Sequence, residues 1–224
     1  MGNEQRAGTF PMLENVATWQ NLMFLYESAI KEVRTKLDIL SEEFQNNYRY
    51  NPIEYVKSRI KTPENIVKKM RRNDYEITME NMVEKINDVA GVRIVCDFTS
   101  DIYRLVRMIR NLKEFEVIRE KDYIAKPKDS GYRSYHLIIK VPVYTTTEVV
   151  KTKVEIQIRT IAMDFWATLE HKIYYKFEGN APDYISRDLR TCADIVSQLD
   201  DKMLSLNDAV MRASDRLDNS VTED

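Results

Sequence analysis

Several short stretches of this chain place chemistry-bearing side chains at regular spacings. The segment KPKDSGYRSYHLIIK, Lys126 to Lys140, sets Tyr132, Ser134 and His136 two residues apart, just after Gly131 and downstream of Lys126 and Lys128. VEIQIR alternates Val154, Ile156 and Ile158 with Glu155, Gln157 and Arg159. A β-strand turns successive side chains to opposite faces, so one face here is apolar and the other carries a carboxylate, an amide and a guanidinium. Upstream, KSRIKTPENIVKKMRR from Lys57 to Arg72 holds seven basic residues against the single acid Glu64. Such a run suits phosphate groups or nucleic acid, or it is a solvated helix face. Asp88, ahead of Val89-Ala90-Gly91, stands where a helix gives way to a strand. A carboxylate there holds a metal or simply ends a helix. Asp88 and Glu155 together, amid many Lys and Arg, suit a Mg²⁺ ion bridging them to phosphates, because that ion needs only one or two protein carboxylates.

The elements that must position these groups read as mixed α/β. Trp19, Met23, Tyr26, Ile30, Val33, Leu37, Leu40 and Phe44 step by four and three, a heptad pattern on one long helix from about Val16 to Tyr48. Leu189, Cys192, Val196, Leu199, Met203, Leu206, Val210, Ala213 and Leu217 repeat the pattern near the other end. Each is a helical layer over the domain or an oligomer seam. Between them, EYVKSRI is a strand, and Thr62-Pro63 with Glu64 opens a helix with proline in its first turn. A helix over about Met79 to Asn87, the strand GVRIVCDF and the helix TSDIYRLVRMIRNL capped by Thr99 or Ser100 follow. FEVIREKDY, YRSYHLIIKVPV and VVKTKVEIQIRT read as strands, the last two forming a hairpin around YTTTE, and IAMDFWATLEHKIYYK resumes a helical period. If YRSYHLIIK pairs with VEIQIR, their polar faces form a ligand floor or an exposed edge. This order predicts an α+β domain, a mixed or antiparallel sheet flanked by helices. The boundaries are a disordered tail at 1–12, a helical segment at 13–48, the central domain at 49–178, a second helical segment at 179–218 and a tail at 219–224.

Composition narrows the chemistry. The 224 residues carry a formal net charge of −2, so charge informs only where it clusters. Cys96 and Cys192 lie too far apart for a metal-ligand spacing, and two cysteines make no disulfide framework, which fits a reducing, cytoplasmic setting. There is no apolar leader and no segment resembling a membrane span. Neither a G-x-x-x-x-G-K-[ST] loop nor a G-x-G-x-x-G occurs. His136 is followed by Leu137 and His171 by Lys172, so there is no His-Asp metal dyad.

Four motifs in order, NPIEYVKSRIKTPENIVKKM, INDVAGVRIVCDFTSDIY, KDYIAKPKDSGYRSYHLII and VEIQIRTIAMDFWATLEHKIYYK, resemble the small alarmone synthetases, single-domain relatives of the Rel/Spo enzymes, and the RelP-like subgroup in detail. The resemblance runs from about Asn51 to Lys176. It implies a nucleotidyltransferase-like fold, commonly a homotetramer. It also implies a pyrophosphokinase of the stringent response that moves the β,γ-diphosphate of ATP to the 3′-oxygen of GDP or GTP. On that resemblance Arg59 and Arg93 sandwich adenine, while Lys61, Lys69 and Arg72 grip the ATP phosphates. Asp88 binds Mg²⁺, and Glu155 is a second metal contact and the general base. Tyr132 stacks on guanine, and His136, Gln157 and Lys128, with Lys121 and Ser134 on the same side, position the acceptor. Two positions depart from some relatives: Lys121 stands for Arg, and Asp164 for Asn. The absent dyad implies synthesis without hydrolysis. Rival readings are a relative that pyrophosphorylates the 3′ end of tRNA, and a nucleotide- or RNA-binding regulator. A carboxylate such as Glu155 among phosphate-binding cations favours the enzyme readings.

Overall fold

The alternating VEIQIR pattern lies at the centre of a five-stranded sheet in the computed structural model, which describes residues 16–48, 50–177 and 181–221. Its strands are β1 (Tyr55–Ile60), β2 (Ala90–Cys96), β3 (Glu116–Asp122), β4 (Tyr135–Tyr144) and β5 (Val149–Thr160), in the spatial order β1-β2-β5-β4-β3. β2 runs parallel to β5, and the other neighbours pair antiparallel. The expected hairpin joins β4 to β5, closed by a bond from Thr145 N to the Glu148 carbonyl at 2.9 Å. The mixed sheet with flanking helices is the α+β arrangement that the element order predicts.

One face of the sheet is apolar throughout. Val92, Ile94 and Cys96 of β2, Leu137, Ile139 and Val141 of β4, and Val154, Ile156 and Ile158 of β5 form one core with Tyr26, Ile30, Val33, Leu37 and Phe44 of α1 (Val16–Tyr48). Each such side chain contributes roughly 1.5–3 kcal/mol when fully buried, so α1 is a structural layer of the domain itself. Short helices α2 (Pro63–Arg72) and α3 (Met79–Lys85) add Ile66, Met70 and Met82. Thr62 caps α2 by accepting from Asn65 N at 3.4 Å, with Pro63 next in line, as the sequence predicts.

Two expectations change, and one open reading divides. Helix α4 (Thr99–Asn111) is not capped by Thr99 or Ser100: Phe98 is the N-cap, and its N–H donates to the Asp101 carboxylate at 3.3 Å. β4 begins at Tyr135 rather than Tyr132. Gly131, with φ +89°, turns the chain there, and Tyr123 N donates to the Ser134 carbonyl at 3.0 Å. The second heptad segment lies in α6 (Asp183–Val221), which pairs with α5 (Ile161–Lys176) around a small separate core of Trp166, Ala167, Leu189 and Ala193. Beyond it Leu199, Met203, Leu206 and Val210 are exposed, so only the first part of that stripe is an internal layer. The expected tail at 1–12 lies outside the described residues. Of 219–224, the first three residues continue α6 and the rest lie outside them.

Candidate active site

Strand register assembles the site on the polar face. Lys57 pairs with Arg93, Arg93 with Gln157, Gln157 with His136, and His136 with Lys121, a row that crosses all five strands. The adjacent row runs Arg59, Gly91, Glu155, Ile138, Arg119. Residues read separately from the sequence therefore converge because they share strand parity. Gly91 interrupts the second row: a Cβ there would sit 3.8 Å from Arg59 Cγ, in ordinary contact, but a longer side chain would enter the space beyond.

That space is one of two clefts described on the polar face of the sheet. The first, about 270 Å³, is lined by Lys57, Arg59, Gly91, Arg93 and Gln157 among others. The second, about 250 Å³, is lined by Lys69, Arg119, Lys121, Tyr123, Lys128 and His136 among others. Asp88 and Glu155 belong to both, so the two carboxylates form the wall where the clefts meet.

Cations hold the Asp88 carboxylate. Lys61 Nζ is 2.9 Å from Oδ2 and Lys69 Nζ 2.8 Å from Oδ1. Burial opposes its ionisation, but the bonds from Lys69 and Lys61 outweigh that and hold it below the usual carboxylate range. Glu155 shows the same balance: burial raises it, and His136 and Gln157 bring it below the ordinary value. Gln157 Nε2 donates to Glu155 Oε2 at 2.9 Å, and His136 Nδ1 lies 3.3 Å from Oε1. Both groups are thus charged acceptors at neutral pH. Asp88 Oδ1 is buried, with the Lys69 ammonium 2.8 Å away as its counter-charge. Two hard, ionised carboxylates on the wall shared by both clefts fit a Mg²⁺ ion that takes its remaining ligands from phosphates and water. No cluster of three or more His, Cys, Asp or Glu side chains suited to a metal occurs among the described residues, so a cage built by protein alone is not present there.

The remaining candidates divide. Lys121, Lys128 and His136 line the second cleft, and Lys128 Nζ lies 4.8 Å from the centroid of Tyr132 and 4.9 Å from that of Tyr123. Tyr132 precedes β4 yet still meets His136, its hydroxyl 2.9 Å from Nε2. Arg72 is exposed at the end of α2 and lines neither cleft. Ser134 is a correction: it is fully buried, and its hydroxyl donates to the Ile158 carbonyl at 3.2 Å. It lies beneath the floor because β4 starts after it, which breaks the alternation that would have aligned it with Tyr132 and His136. Gly131 also differs. A Cβ on it would lie 2.5 Å from Ala193 Cβ of α6, so its close approach is to that helix.

Sequence reasoning missed Tyr123, Arg159 and the role of Asp164. Tyr123 packs edge-on against His136, with ring centroids 5.2 Å apart. Arg159, only 4% exposed, pairs with Asp164 at 2.9 Å, and Asp164 also meets Arg93 at 3.0 Å and accepts from Tyr55 at 2.9 Å. The available signal was the alternation of VEIQIR itself, since an arginine on a domain's central strand must find buried partners.

A sheet carrying two clefts that share a carboxylate wall, ringed by Lys and Arg, defines a nucleotide-handling transferase site. The chain belongs to the RelA/SpoT family: the family region described as found in RelA / SpoT proteins matches residues 58–180. It is 47% identical over 192 residues to the GTP pyrophosphokinase YwaC of Bacillus subtilis, covering 86% of this chain and 91% of that one. The small alarmone synthetase 1 of Bacillus subtilis, solved with its product pppGpp, superposes with a TM-score of 0.80 at 37% identity, covering 86% of this chain and 98% of that one. The same enzyme bound to AMPCPP gives a TM-score of 0.74 at 34% identity, covering 88% and 99%. The chain is a single-domain small alarmone synthetase by this kinship, as its motifs suggested.

Proposed function

We propose that this chain synthesises (p)ppGpp by transferring the β,γ-diphosphate of ATP to the 3′-hydroxyl of GDP or GTP, releasing AMP. The observation that carries this reading is the shared wall: Asp88 and Glu155 border both clefts, so groups bound in each would meet there. ATP occupies the first cleft with adenine between Arg59 and Arg93, whose flat guanidinium groups stack as Lys could not. Lys61 and Lys69, now on Asp88, turn to the phosphates, with Arg72 at the rim. The acceptor occupies the second cleft, its phosphates toward Lys121 and Lys128 over the floor that His136 forms, and its guanine on Tyr132 just outside the cleft lining. Gln157 lines the first cleft and bears on the acceptor through Glu155. Asp88 and Glu155 would hold Mg²⁺, which would neutralise phosphate charge. Glu155 takes the proton from the attacking 3′-hydroxyl. Phosphoryl chemistry of this kind needs positioning and charge neutralisation more than covalent help, and the Arg/Lys ring supplies them.

The reaction takes place in the cytoplasm, and no described helix is long and apolar enough to cross a membrane. The exposed stripe Leu199, Met203, Leu206 and Val210 supports a homo-oligomer, with a tetramer as the family form. Incubation with labelled ATP, Mg²⁺ and GDP or GTP is the test. Guanosine tetra- or pentaphosphate should form in step with AMP. AMP release without either product would overturn the acceptor assignment.

A further inference from the structure

Arg159 lines neither cleft, yet it starts two polar chains that reach the two oxygens of Glu155. One runs by hydrogen bonds through Gln157, and one through Tyr132 and His136, whose ring lies in ion-pair range of the carboxylate. Its Nη2 donates to the Tyr132 hydroxyl at 2.6 Å and to Gln157 Oε1 at 3.0 Å. Its Nη1 donates to Asp164 Oδ1 at 2.9 Å, which balances the buried charge. A guanidinium only donates, so each of these contacts has a fixed direction. The Tyr132 oxygen accepts from Arg159, which leaves its own proton for His136 Nε2 at 2.9 Å. A neutral imidazole that accepts at Nε2 carries its proton on Nδ1, and Nδ1 faces Glu155 Oε1 at 3.3 Å. Gln157, with Oε1 turned to Arg159, must aim its NH₂ at Glu155 Oε2, 2.9 Å away.

We propose that Arg159 is a positioning residue for the transfer reaction, acting by fixing the direction of both chains. It aims the Tyr132 hydroxyl at His136 Nε2, which with the Glu155 carboxylate holds the Nδ1–H tautomer. It also sets the orientation of the Gln157 amide, so that Glu155 is held at both oxygens. The Tyr132 hydroxyl then has a task separate from its ring, since the ring serves the acceptor base and the hydroxyl passes direction to His136. The inference rests on the reading of Glu155 as the base.

Tyr132→Phe isolates the chain, because it keeps the ring and removes only the hydroxyl. With the wild-type donor and acceptor, kcat should fall about tenfold or more, part of what a positioned base contributes, while the acceptor KM changes less than about threefold. Arg159→Lys should not restore turnover, since one ammonium cannot serve Tyr132, Gln157 and Asp164 together. A direct readout is ¹⁵N NMR of histidine-labelled protein, recorded above the usual histidine titration range. The chain has two histidines, and a His171→Asn variant assigns the other to His136. Wild type should give the Nδ1–H pattern with a hydrogen-bonded Nε2, and Tyr132→Phe should move the Nε2 resonance to that of an unbonded acceptor nitrogen. An Nε2–H or doubly protonated His136 in wild type, or an unmoved Nε2 resonance with unaltered kcat in Tyr132→Phe, overturns the proposal. Glu155→Gln is the control. If it is inactive while the Tyr132→Phe tests fail, the base stands and the relay falls; if it is active, both fall.

Discussion

The two faces of β5 differ in what their neighbours demand. Val154, Ile156 and Ile158 are each fully buried against α1 and its partner strands. Among Glu155, Gln157 and Arg159, one residue away in every case, Glu155 meets His136, Gln157 bonds to its two strand neighbours, and Arg159 bonds to Tyr132 and Asp164. Apolar contacts are tolerant of direction, so the first face is held by volume alone. The second face is held by donors and acceptors whose directions must agree, and one wrong partner costs more than its own bond. The same strand therefore carries stability on one side and chemistry on the other, with little overlap.

Substitutions along β5 and its neighbours test that separation. Glu155→Gln should reduce turnover by roughly 10²–10⁴-fold, the range of a positioned base, with ATP binding and thermal midpoint nearly unchanged. A large drop in midpoint would show that the polar face also carries the fold. Ile156→Ala should do the reverse, lowering unfolding free energy by about 2–5 kcal/mol in a denaturant titration. Its folded fraction should keep near-normal turnover. Gly91→Leu fills the first cleft from its floor and should raise the KM for ATP severalfold, whereas Gly91→Ala should be nearly silent in the same assay. The smallest effect lies where the apolar face ends on a polar contact, Thr160 donating to buried Asp200 at 2.6 Å. Burial raises the Asp200 carboxyl above its usual range. The stability linked to that group is thus complete below its unfolded pKa and drains as pH rises through the folded value. Asp200→Asn should raise the midpoint by a few degrees at neutral pH. The gain should vanish in acid, where the wild-type group is neutral too.

Legibility followed the same division. The apolar stripe of α1 and the alternation of β5 were readable because each burial requirement repeats along the chain. α6 shows the limit of periodicity. Its spacing matches that of α1, yet Leu189 is buried and Leu199 exposed, because the pattern specifies an apolar face without saying what covers it. Among site residues, those on strands fell into line once register was set. Ser134 did not, since Gly131 delays the strand, and Tyr123 had no spacing that marked it. Arg159 was visible only as one more polar residue; its importance lies in partners from β4's approach and from α5, brought together by folding.

Gly131 ties these regions together. With no room for even a methyl group against Ala193, the turn that carries Tyr132 is seated on α6 as a stone is seated on its course. Tyr132 itself packs on the same small core as Trp166 and Leu189. The aromatic platform, the turn and the first part of α6 are therefore packed as one unit. Any side chain that displaced Ala193 from this seat would act on the turn that presents the ring, and through the ring's hydroxyl on His136 and Arg159.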